Sequence, residues 1–318
     1  MAAESTAPIP EMVREACAWV AARARSVRIE EEAVSAYAAG LGSGDDGEAG
    51  GEDPAVSGDR EARAAFVVCL DAINFGSGWW PTIRKRPSHS GYRTVEAGLR
   101  ERFEAHGPWS ADELCALDRR EIAAVLGQDR EHPLMADFAV ALRDVGGHLR
   151  FEHGGRFEAL VDNAGGSAVT LANLLAGWAA FEDVSTYEGR FVPFYKRAQL
   201  AAADLDRAGV AGFGDLGRLT TFADNLVPHV LRVDGVLRFE PNLTAAIEAG
   251  ELLEHGSPAE VELRACAVQA VELLAGARRS AGHGAPLSAS EIDAALWNRG
   301  RDLRYKALPR PRSRNTAY

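Results

Sequence analysis

The chain is short of several things that would announce a function. It has four cysteines, Cys17, Cys69, Cys115 and Cys266. They stand apart inside apolar patterns, which excludes a cysteine metal knuckle and a disulfide framework and suggests a reducing compartment, the cytoplasm. The eight histidines are scattered, and no His-Glu-x-x-His pairing or phosphate-loop lysine pattern exists. No metal and no cofactor are therefore expected. Gly76-Ser77-Gly78 is only a fragment of a serine nucleophile elbow. No apolar run approaches the ~20 residues that span a bilayer, and Met1 to Pro10 lacks the basic and apolar regions of a signal peptide. Alternating apolar and polar residues, the mark of a half-buried strand, are almost missing. Basic residues are outnumbered as well, 35 against 46 acidic ones. The formal net charge is −11, which disfavours tight binding to a nucleic acid backbone.

What is present is ordinary globular material, 47% hydrophobic and 25% charged over 318 residues. Helical periodicity runs through most of it. Helices are expected over 11–27, 29–41, 59–74, much of 93–147, 168–180, 198–208, 225–231, 257–281 and 288–304. Capping boxes are expected at Ser110 and Ser257, and a helix start at Ser288. The acidic, Gly-rich stretch 42–59 reads as a mobile loop. Val233 to Val236 reads as a tight turn, with a small hairpin as one outcome. Pro309 and Pro311 predict an extended tail. The fold class is mainly α, one compact helical domain over 1–318 with at most a small β hairpin.

The chemistry resides in carboxylates set among apolar residues: Asp71, Asp224, Glu262 and Asp293. A carboxylate in such surroundings ionises at a cost unless a cation or donor sits close. Asp224, in Phe222-Ala-Asp224, has Lys196 as its natural partner. The plain alternative is a structural one, with Asp224 capping the helix near Asn225 and Lys196 on a solvated face. For Glu262 the structural alternative is a pair with an arginine. Glycosidic-bond hydrolysis is one reaction that needs carboxylates, because its transition state carries oxocarbenium charge. Asp71-Ala-Ile-Asn74-Phe75 leads into glycines and two tryptophans, a composition suited to a ligand wall or to a core helix with a tight turn.

Six stretches carry a family resemblance: Asp71-Ala-Ile-Asn-Phe75, Phe194-Tyr-Lys-Arg-Ala-Gln199, Phe222-Ala-Asp-Asn-Leu-Val-Pro228, Glu260-Val-Glu-Leu-Arg-Ala-Cys266 with Val271-Glu-Leu273, Ile292-Asp-Ala-Ala-Leu-Trp297, and Pro311-Arg-Ser-Arg-Asn-Thr-Ala-Tyr318. In this order they resemble the queuosine salvage family, the queuosine 5′-phosphate N-glycosylase/hydrolases, from about residue 60 to the C-terminus. Arg312 stands where the family pattern has His, and Asn225 where an aromatic follows the Asp.

The resemblance implies a fold like that of helix-hairpin-helix DNA glycosylases. It implies hydrolysis of queuosine 5′-monophosphate to queuine and ribose 5-phosphate, with a small-molecule nucleotide as partner and neither nucleic acid nor membrane. Asp224 would stabilise or capture the sugar cation, Asp293 would exchange that role or position water, and Lys196 would orient Asp224 or hold the phosphate. Asn74, Phe75, Tyr195, Phe222 and Trp297 would line the base pocket, and Arg314 would reach the phosphate. The competing readings are a nucleic-acid base glycosylase, a non-catalytic nucleobase or nucleotide binder, and a helical scaffold. Oligomeric state is left open.

Overall fold

The computed structural model describes residues 7–41, 58–281 and 286–318. The expected acidic loop at 42–59 lies outside the described residues except for its last two positions. In chain order the elements are α1 (Ile9–Ala21), β1 (Val27–Ile29), α2 (Glu31–Gly40), α3 (Arg60–Ala72), α4 (Gly91–His106), α5 (Ala111–Ala116), α6 (Arg119–Val125), α7 (Pro133–Glu152), α8 (Phe157–Asn163) and α9 (Ala168–Ala176). There follow β2 (Val184–Tyr187), β3 (Arg190–Pro193), α10 (Lys196–Arg207), α11 (Leu226–Val233), β4 (Leu237–Phe239), α12 (Pro241–Glu248), α13 (Pro258–Ala281), α14 (Ala289–Arg299) and α15 (Leu303–Lys306). The mainly α class is what the structure has.

Among the described residues the β structure is small, two antiparallel strand pairs, and it lies elsewhere than at Val233 to Val236. β2 and β3 form a hairpin with Tyr187 opposite Arg190. Its two turn residues, Glu188 and Gly189, both have positive φ (46° and 79°), the type I′ geometry that matches strand twist. Val233 to Val236 does not form a hairpin. It is the turn between α11 and β4, and β4 pairs antiparallel with the distant β1. Helix α9 stops at Ala176, short of 180, and α14 is followed by the separate α15.

The described residues gather into two compact units. The first comprises those of Met1–Gly50, Asp183–Lys196 and Asp215–Ser313. Its axis is α13, 24 residues long and opened by Pro258 in its first turn. Leu263, Cys266, Ala267, Ala270, Val271 and Leu274 recur at helical spacing and enter one core with residues of α2, β1, α11, β4 and α14. The helix is buried beyond that stripe too, and it carries Glu260, Glu262 and Arg264 inside. A charge so placed needs partners. Glu262 has them, though not the expected arginine. It accepts the N–H groups of Arg25 (2.9 Å) and Ser26 (2.5 Å) and the Tyr187 hydroxyl (2.8 Å). These bonds fix the α1–β1 corner and the hairpin end to α13.

The second unit comprises those of Gly51–Glu182, Arg197–Gly214 and Arg314–Tyr318. Asp59 caps α3 through the Ala62 N–H, and the run Ala64 to Ala72 is buried on every side. Helix α5 opens with the expected capping box at Ser110 and lies close across α7. A methyl group on Gly146 would come within 2.6 Å of the Leu114 Cβ and 2.8 Å of the Cys115 nitrogen, so the contact needs the missing side chain.

Candidate active site

The site is assembled in the first unit by two segments and one helix face. Asp293 lies in the first turns of α14, which Ser288 and Glu291 start with a reciprocal capping box. The residue is 6% exposed. Its Oδ1 accepts the Thr221 hydroxyl and the Phe222 N–H, the latter at 2.9 Å. Burial pushes this acid up to about 7, and the charge of Asp224 pushes the same way. The Thr221 hydroxyl, the Phe222 N–H and the Lys196 cation pull it back. Opposed influences of this kind leave a proton exchangeable near neutrality.

Asp224 follows two residues after Phe222. Its Oδ1 accepts the N–H groups of Leu226 (2.7 Å) and Val227 (3.3 Å) at the start of α11. The structural alternative is thus correct about the cap. It is not correct about Lys196, which is 5% exposed rather than on a solvated face and whose charge reaches Asp293. The free N–H groups of a helix start suit a carboxylate. Arg310 adds a cation within the field of Asp224.

Lys196 is the first residue of α10. Tyr195 before it is half-buried and has φ of 48°, a left-handed conformation that is costly for a side chain with a Cβ. Trp297 is half-buried one turn beyond Asp293 on α14, packed against the core of the first unit and covered by the Arg301 guanidinium at 5.6 Å. The first unit therefore brings Lys196, Phe222 and Asp224 to Asp293, and it also holds Tyr195, next to Lys196, and Trp297, one turn from Asp293.

Asn74, Phe75 and Arg314 belong to the second unit. The Asn74 amide donates to Asp71 Oδ1 at 3.4 Å. Phe75 is closed off, edge to face with Phe138 at 5.0 Å and beneath the Arg197 guanidinium at 5.0 Å. Arg314 is exposed, with its guanidinium 5.9 Å from the Trp79 ring. The family departures both anchor the tail in the first unit. Asn225 donates to the Pro311 carbonyl at 2.8 Å. Arg312 donates to the Gly250 carbonyl at 3.2 Å, and its own carbonyl accepts the Leu253 N–H at 2.8 Å.

Three residues escaped the sequence reading. Thr221 is the donor that orients Asp293. Asp183 and Arg264 form a fully buried ion pair, 2.8 and 2.7 Å across two parallel bonds. Arg264 left one signal, a charge inside the apolar run Val261 to Val268. Thr221 and Asp183 left none, because their partners are distant in sequence.

A mainly helical protein with a buried acid pushed towards neutrality, a half-buried second carboxylate two residues from the backbone N–H that the acid accepts, and a buried lysine is equipped for acid–base chemistry. The chain belongs to the queuosine salvage protein family, which matches residues 54–318. It is 37% identical over 268 residues to the queuosine 5′-phosphate N-glycosylase/hydrolase of Sphaerobacter thermophilus, covering 81% of this chain and 82% of that one. To the protein of the same name from Dictyostelium discoideum it is 31% identical over 264 residues, 81% and 79% of the two chains. To that of Mus musculus it is 28% identical over 281 residues, 81% and 82%.

Proposed function

We propose that this protein hydrolyses the N-glycosidic bond of queuosine 5′-monophosphate, releasing queuine and ribose 5-phosphate. The observation that carries the reading is the geometry that sets buried Asp293, through its bonds to Thr221 and the Phe222 N–H, close to Asp224 at the start of α11, with buried Lys196 in the same unit. The family and the names of the relatives support the substrate.

Cleavage of the bond between C1′ and the base leaves positive charge on the sugar. Asp224, fixed through Oδ1 at the start of α11, stabilises that charge as a carboxylate. Water then attacks C1′. Asp293, in its ionised form, takes the proton from that water, and the proton passes to the departing base nitrogen, so that water, nucleotide, base and sugar phosphate balance. A 7-deazapurine lacks the N7 that purine glycosidases protonate, which puts the burden on the sugar cation. Lys196 supplies a point charge for Asp224 or the 5′-phosphate. Phe222, Tyr195 and Trp297 hold the base by their ring faces. Asn74 and Arg314 are assigned to base and phosphate on the resemblance, and Phe75, being closed off, acts only through the wall it supports. The whole chain works as one catalytic domain, in the cytoplasm, without metal or cofactor, on the free nucleotide.

The test is to incubate the protein with queuosine 5′-monophosphate and, separately, queuosine, and to follow queuine by chromatography with mass detection. Release is expected to be faster from the monophosphate, because remote binding energy is used at the reacting centre. Asp224→Asn is expected to keep the fold and lose on the order of 10³-fold in kcat. The kcat is expected to rise with pH through a midpoint near 7, the value to which burial pushes Asp293. A falling limb there would make Asp293 the proton donor. Near-normal turnover by Asp224→Asn removes that residue from the mechanism.

A further inference from the structure

Lys196 and Asp224 are 28 residues apart in the chain, on segments with no main-chain pairing between them among the described strands. One buried ion pair ties both. Three successive N–H groups converge on Asp183. Its carbonyl accepts those of Phe194 (2.9 Å) and Tyr195 (3.3 Å), and its Oδ2 accepts that of Lys196 (2.9 Å). The same carboxylate receives the fork of Arg264, Nη1 on Oδ1 at 2.8 Å and Nη2 on Oδ2 at 2.7 Å. The remaining edge of that guanidinium, Nε, donates to the Ala223 carbonyl at 2.9 Å, one peptide before Asp224. The guanidinium lies flat enough on Phe194 to place its carbon 3.9 Å from the ring centroid.

We propose that the Asp183–Arg264 pair is a positioning device that sets Lys196 and Asp224 in register for the reaction. This rests on the reading of Asp224, Asp293 and Lys196 as the reacting groups.

Stability alone is a poor reason for such a pair. Two charges taken wholly out of water cost in desolvation about what they regain, and apolar residues of similar volume often do as well. Geometry is what the pair adds. A planar fork with three of its donors committed has one orientation, and a carboxylate with three donors on it has no freedom to turn. The left-handed Tyr195 is held on both sides by bonds to Asp183, which keeps a strained residue next to Lys196. Glu260 stands 3.9 Å from the same guanidinium, outside hydrogen-bond reach, so the directed bonds of the Asp183–Arg264 pair are what set the placement. Asp293 reports that placement, since its proton responds to both Asp224 and Lys196.

The experiment uses Arg264→Lys, which keeps the charge and loses the fork, and the double variant Asp183→Asn with Arg264→Gln, which keeps amide partners without charge. Melting temperature, kcat, KM and the pH midpoint of kcat are measured well below the melting point. A folded variant is expected to lose roughly 10²-fold in kcat, the scale of an ångström of misplacement, and to show a displaced midpoint. A folded variant with kcat within about threefold of wild type and an unmoved midpoint overturns the proposal. So does failure of both variants to fold, which assigns the pair to stability alone. If the wild-type protein releases no queuine, the functional reading fails by itself. The clamp is then read from the Asp293 carboxyl followed by ¹³C NMR against pH, where the variants are expected to move its midpoint and an unchanged titration overturns the clamp.

Discussion

Arg264 in the first unit and Arg197 in the second are both 1% exposed, and they solve the same problem in opposite ways. Arg264 faces a carboxylate and spends one bond on a carbonyl. Arg197 donates to three main-chain carbonyls, of Ala72 at 2.5 Å, Thr316 at 2.5 Å and Ala317 at 3.1 Å. The rings of Phe75 and Phe181 lie 5.0 and 5.6 Å from its guanidinium carbon. Carbonyl dipoles and π faces disperse a cation and staple chain segments together. A carboxylate instead localises the charge and fixes another side chain's direction. The first arrangement suits a tail that must stay down. The second suits a site in which two groups must keep their spacing.

The sharpest way to break the comparison is Asp183→Ala. It removes the carboxylate that the Arg264 fork grips and leaves that buried cation with Glu260 at 3.9 Å, and a loss of roughly 3–5 kcal/mol is expected in chemical denaturation. Arg197→Met removes the cation together with its need for partners, leaving orphaned carbonyls. The expected loss is smaller, about 2–3 kcal/mol, with faster amide exchange at 315–318 by mass spectrometry. Equal losses in the two variants would erase the distinction. Asp293→Asn probes the carboxylate side from another direction. Its pKa in the fold stands above the ordinary 3.8 at about 7, so the folded state holds a proton that the unfolded chain gives up. Stability from this group is therefore present below about pH 4 and is lost as pH rises towards 7. The variant should gain on wild type by on the order of 2 kcal/mol between pH 5 and 8, and parallel stability curves would count against a perturbed Asp293. Smallest is Tyr187→Phe, which removes one of three donors to Glu262 and is expected to cost about 1 kcal/mol.

Much of this was legible in the sequence, and what was not has a common cause. The helix starts at Ser110 and Ser288 are encoded in four consecutive residues: the expected capping box forms at Ser110 and another forms at Ser288, whereas at Ser257 the returning bond to the Glu260 carboxylate comes from the Gly256 N–H. Asp224 and Asp293 stood out because a carboxylate among apolar residues is a local anomaly. The hairpin at 184–193 was overlooked because its signal is two turn residues, Glu188 and Gly189, and short strands without clean alternation. The pairing of β1 with β4 joins residues some two hundred positions apart, where periodicity is silent. The same holds for Thr221 on Asp293 and for Asp183 on Arg264. Nothing near Asp183 in the chain says that an arginine 81 positions on will face it.

The two donors on Asp293 converge on a single oxygen. Thr221 and the Phe222 N–H both point at Oδ1, so the proton gained near neutrality is carried on Oδ2. Turning the carboxyl over would break both bonds at once. The acid consequently has a front and a back: protons arrive and leave through one fixed atom, and any molecule that trades a proton with it has to stand on that side.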